Sequence, residues 1–120
     1  MTSTEYIIQK MRELVTNFPV VRCRYEHHVL SDTHFVEVVP NSIYKLNTDY
    51  LKWEEEITFS FPQLFPAESL CFISDDALIG IRNIEFELKG QLFDVIKRPA
   101  KAGLPVAEPK QRPNAGAGIG

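Results

Sequence analysis

The stretch VVRCRYEHHVLSDTHFVEVVP, residues 20–40, decides how the chain folds. Val21, Cys23 and Tyr25 alternate with Arg22, Arg24 and Glu26, a period of two that puts apolar side chains on one face of a strand and charged ones on the other. Ser31-Asp32-Thr33 supplies turn chemistry, and His34 to Val39 is again rich in β-formers until Pro40 stops it. Two such runs joined by a short turn predict a β-hairpin.

On its N-terminal side, Thr2 followed three residues later by Glu5 has the form of a capping box. Ile7, Met11, Leu14 and Phe18 then recur at helical spacing, with Ile8 and Val15 beside them. Asn17-Phe18-Pro19 ends this first helix, because proline disfavours helical geometry in the residue before it. On the C-terminal side, Tyr50, Trp53, Ile57, Phe61 and Leu64 form a second stripe beginning near Thr48-Asp49. Pro62 is expected to stop that helix at about Phe61. Leu70 to Ser74 is a short apolar run that fits a buried strand. Asn83 to Lys89 alternates Ile84, Phe86 and Leu88 against Glu85, Glu87 and Lys89, and Gly90 breaks it. Leu92 to Ile96 reads as a last strand or a segment lying on the core.

The resulting order is αββαββ, an α+β domain over residues 1–96. Two helix–hairpin units in succession predict two layers, an antiparallel sheet of about four strands with both helices on one face. A faint echo between Glu5-Tyr6-Ile7 and Asp49-Tyr50-Leu51, each unit ending in Phe-Pro, points to the same topology.

Composition changes abruptly at Lys97. Residues 97–120 hold four of the eight prolines, four of the six glycines and five alanines, too little apolar surface to offset the entropy of ordering them. A basic tail, disordered in isolation, is expected there. Its five cations against Glu108 give it +4. The whole chain is −3, so residues 1–96 carry −7. This acidic balance argues against docking nucleic acid through the body.

Cys23 and Cys71 each lie inside an apolar run, as buried free thiols do, and a domain with an adequate core and two cysteines implies neither a disulfide framework nor a zinc cluster. With no signal-like leader and no apolar stretch of about 20 residues, the expectation is a cytoplasmic protein that does not enter the membrane.

Three histidines, His27, His28 and His34, flank the hairpin turn. Adjacent strand residues point to opposite faces, so only one of His27 and His28 can join His34, and a metal site would need a further ligand such as Asp32 or Glu37. The spacing matches no known zinc pattern, and solvated histidines, with no metal and no cofactor, are expected. Glu54, Glu55 and Glu56 fan over about 200° of a helix surface and read as a solvated face.

Asp75-Asp76 follows the apolar run at Leu70 to Ser74, and Glu87-Leu88-Lys89 lies farther on. An acid after a buried strand with Glu-x-Lys on a neighbouring one resembles the PD-(D/E)xK nucleases. The resemblance implies Asp76 and Glu87 as metal ligands and Lys89 as the catalytic lysine assisting the attacking water. Ser74-Asp75 stands where that family has a proline before the aspartate, and little chain follows Lys89. No P-loop, G-x-S-x-G, dinucleotide glycine pattern or C-x-x-C occurs.

Most aromatics fall at core positions. Phe59 lies off the second helix's apolar stripe and, with Leu51, is a candidate partner surface. The expected function is therefore a small acidic protein-interaction module without catalytic activity: a regulator, inhibitor, antitoxin-like or immunity-like protein, or an assembly subunit. Its partner is another protein or a second copy of itself. The alternative is the metal-dependent nuclease or hydrolase of Asp76, Glu87 and Lys89.

Overall fold

The computed structural model describes residues 1–97. The expected tail, 97–120, lies outside them except for Lys97. The chain runs α1 (Ser3–Asn17), β1 (Arg22–His28), β2 (Thr33–Val39), α2 (Asn41–Leu46), α3 (Thr48–Leu64), β3 (Ser69–Ile73), β4 (Phe86–Lys89) and α4 (Phe93–Lys97).

The capping box forms as the sequence predicts: Glu5 N donates to Thr2 Oγ1 at 3.1 Å and Thr2 N to Glu5 Oε1 at 2.8 Å, satisfying two donors the helix cannot. Asn47 caps α3, its Oδ1 accepting from Tyr50 N at 2.9 Å. Pro62 does not end α3 at Phe61. The proline lacks only the N–H that would reach back to Thr58, and so near the end of the helix that loss is small; the helix runs on to Leu64 and closes with Phe65 N donating to Phe61 O at 2.8 Å.

The four strands form one mixed sheet in the order β3-β2-β1-β4. β1 and β2 are the expected antiparallel hairpin, with His27 opposite His34 and Tyr25 opposite Val36. The wholly antiparallel sheet and the second hairpin are corrected. β3 pairs parallel with β2, because the path from β2 through α2 and α3 returns the chain to the same end of the sheet. β4 pairs antiparallel with β1 at the opposite edge. The echo of two Phe-Pro units therefore marks no repeated topology. α2, six residues long, is too short to show a period in the sequence. The extra segment at Leu92 to Ile96 is helical, within α4.

One side of the sheet carries the core. Cys23, Tyr25, Val36 and Val38 meet Ile7, Met11 and Leu14 from α1 and Tyr50 and Phe61 from α3. The other side carries charge: Arg22 Nη2 lies 2.9 Å from Glu37 Oε1, and Arg24 Nε lies 3.6 Å from Glu87 Oε1. Because β3 and β4 occupy opposite edges, residues 74–85 must connect them. Arg82 N donates to Glu26 Oε1 at 2.9 Å, and Glu85 N, just before β4, donates to Tyr25 O at 2.9 Å.

Candidate functional site

At the turn end of the hairpin the alternation of β1 and β2 brings His27 and His34 onto the core face as direct cross-strand neighbours. Their rings stack with centroids 4.1 Å apart and planes 8° from parallel. His28 takes the opposite face, near Glu26 (3.4 Å) and edge-on to Phe35. Asp32 occupies the left-handed region at φ 51°, a conformation Asp and Asn tolerate better than other side chains, and its Oδ1 lies 2.9 Å from His27 Nε2. Ligand atoms of His27, Asp32 and His34 all lie within 4.8 Å of one another. Of the two acids named as further ligands, Asp32 joins the histidines and Glu37 pairs with Arg22 on the other face.

His34 is fully buried and held at both nitrogens. Tyr25 Oη stands 2.6 Å from Nδ1, and Glu68 Oε1 stands 2.5 Å from Nε2. Hydrogen bonds from Ser3 and from His34 keep the Glu68 carboxyl below its usual range. Burial pushes the Tyr25 hydroxyl pKa upward, and the negative charges of Glu85, Glu68 and Asp32 add to the effect. Tyr25 Oη also touches Thr4 Oγ1 at 3.2 Å. The chain Tyr25–His34–Glu68 thus has the connectivity of an acid–base relay, but its first two members are sealed from solvent at 1% and 0% exposure. Only the outer rim, His27, Asp32 and Glu68, reaches water.

Comparison with known proteins finds no matching family model, no matching curated protein and no matching solved structure.

The three residues of the nuclease resemblance do not come together. Asp76 follows β3 and pairs with Lys45 at 2.7 Å, whose ammonium lowers its carboxyl pKa. Glu87 and Lys89 lie on β4 at the far edge, beside Arg24 and Asp94 respectively, at 3.6 Å each. Two strands intervene, a separation of roughly 14 Å at about 4.8 Å per strand. A two-ligand metal site with an assisting lysine needs these groups around one ion, and the sheet order prevents it.

Both cysteines are free thiols; burial raises Cys23 to about 12 and raises Cys71 as well, so neither is poised as a nucleophile. Of the three glutamates on α3, Glu55 and Glu56 are solvated as expected. Glu54 is half-buried and accepts from Tyr50 Oη at 2.7 Å, and its pKa is raised by burial.

On the outer side of α3, Phe59 is 71% exposed and Leu51 40%. Lys52, Glu55, Glu56, Phe59 and Gln63 follow at spacings of three and four and share one exposed stripe. Neither Tyr25 nor Glu68 carries a distinguishing signal in the sequence. Tyr25 reads as an ordinary core aromatic, and Glu68 meets His34 only through the parallel pairing Thr33↔Ser69 and His34↔Leu70, which no local pattern discloses.

Proposed function

We propose that this domain acts by binding rather than catalysis, as a small acidic interaction module that docks a basic partner protein on the outer face of α3. The observation that carries the reading is Phe59, a large aromatic held in water on a helix whose other aromatic residues, Tyr50, Trp53 and Phe61, all pack inward. An exposed aromatic flanked by charge has the make-up of an interface anchor with a polar rim. Glu55 and Glu56 precede it by one turn, and residues 1–96 carry −7, so the complementary surface is cationic around an apolar pocket. The sealed state of Tyr25 and His34 and the scatter of Asp76, Glu87 and Lys89 support binding over turnover. Two free cysteines fit a reducing cytoplasm, and no helix among the described residues is long and apolar enough to cross a membrane.

Photo-crosslinking tests the assignment. A benzoylphenylalanine at position 59 is expected to give one discrete adduct with a basic protein in cells. The same group at exposed Gln9 on α1 should give none, and Glu55→Lys with Glu56→Lys should abolish the first. Absence of an adduct at 59, or the same products from both positions, would overturn the reading.

A further inference from the structure

We propose that His27, Asp32 and His34 bind one divalent transition-metal ion of the zinc class at the turn end of the β1–β2 hairpin. Two imidazoles and one carboxylate are a donor set that suits zinc and its neighbours and does not suit magnesium or calcium, which take oxygen alone. Ligands around a tetrahedral ion at about 2.0–2.1 Å stand roughly 3.3 Å apart. The three donors lie within 4.8 Å of one another, with His27 Nε2 and Asp32 Oδ1 at 2.9 Å, and closing on an ion requires the two stacked rings, now 8° from parallel, to tilt toward one another.

The surroundings are those of a built site. Tyr25 holds His34 Nδ1 and is itself met by Thr4, which fixes the buried ring with Nε2, now against Glu68 Oε1, as the nitrogen an ion would take, the second-layer support that ligating histidines require. On binding, His34 would present the Nε2 lone pair and keep its single ring proton on Nδ1, donating to Tyr25 Oη while the Tyr25 hydroxyl turns to Thr4 Oγ1, and Glu68 Oε1 would give up its contact with Nε2. Glu68 is then left beside the open fourth position, where it accepts from a bound water. Asp32 and Glu68 each lie against one imidazole and Glu85 Oε2 accepts from His27 N at 2.9 Å, three carboxylates whose negative field favours a cation. His27, Asp32 and Glu68 are partly solvent-accessible and give the ion a way in. The turn is the remaining reason: Asp32 donates its N–H to Val29 O at 3.2 Å and accepts at its own carbonyl from Ser69 N at 3.0 Å, so its carboxylate is presented from a backbone tied on both sides.

Titration of the full chain with Zn(II), followed calorimetrically, is expected to show one equivalent bound, with no response to Mg(II). Co(II) in the same site should develop the intense visible bands of four-coordinate N/O ligation. His34 is too buried to vary safely, so the variants are His27→Gln and Asp32→Asn, the latter because Asn keeps the left-handed turn; each should weaken binding at least tenfold while the far-UV spectrum and melting temperature of the ion-free protein stay folded. His28→Gln, on the opposite face, should bind as the parent does. Failure to saturate near one equivalent, or equal losses from His28→Gln and His27→Gln, would overturn the assignment and leave the cluster as an ion-pair network alone.

Discussion

Glu68 joins three parts of the chain through one carboxylate: it takes hydrogen bonds from Ser3 at the head of α1 and from His34 on β2, while sitting one residue before β3. Its folded-state pKa is depressed by those bonds. A carboxylate with a depressed folded pKa contributes stability that is fully present above its unfolded value of about 4.3 and is lost as pH falls through the folded value. Glu68→Gln should therefore lower the urea midpoint at pH 7 and narrow the gap to the parent as pH drops below about 4.3. If the difference between the two proteins were the same at pH 3 as at pH 7, the ionic character of the Glu68 contact would be refuted. Alternation along β1 already excluded His28 as a partner of His34 once His27 was chosen, and Asp32 was within reach of a turn-based guess. Tyr25 and Glu68 were out of reach, because one is chemically indistinguishable from a core residue and the other arrives from another strand.

At the scale of elements, the helices and the hairpin were legible because each has a strong local period and its own end signals: Thr2 and Glu5 for α1, Ser31-Asp32-Thr33 for the turn. The sheet's order and direction were not, since pairing β3 with β2 or with β4 uses the same alternating residues and differs only in where the connections run. The same limit explains α2, whose Ile43 and Tyr44 pack against the core from a helix of six residues, too few to show a period. Gly90 reads locally as a strand breaker, but its role is set by a neighbouring segment. A Cβ there would stand 2.1 Å from the carbonyl oxygen of Pro19, while Gly90 N donates to Val21 O at 2.7 Å and Leu92 N to Pro19 O at 2.9 Å. The obstacle is backbone and cannot rotate aside. Gly90→Ala should destabilise the domain by about 1–3 kcal/mol, the usual cost of overpacking, as a lowered denaturation midpoint. A variant as stable as the parent would mean that the α1–β1 connection and the end of β4 do not meet so closely.

For the whole molecule, β1 and β2 are the two interior strands, each hydrogen-bonded on both sides, while β3 and β4 are paired on one side only among the described residues. Amide exchange should accordingly be slowest across Cys23–Tyr25 and Val36–Val38, whose side chains are also the most buried, and faster across Phe86–Lys89, a strand of four residues. Protection of β4 equal to that of β1 would argue that the sheet opens only as a unit. The sheet order also bears on how the protein is made. The hairpin and the first three helices are complete once the ribosome has passed β3, yet the free side of β1 has no neighbour until Phe86–Lys89 has been synthesised, about 1–3 seconds later at roughly 5–20 residues per second. Through that interval the nascent chain presents an unpaired strand beside an otherwise finished core, the kind of template that recruits strands from other chains. Truncation before residue 86 would make that exposure permanent, and the last few residues of the sheet act in this sense as the molecule's own seal.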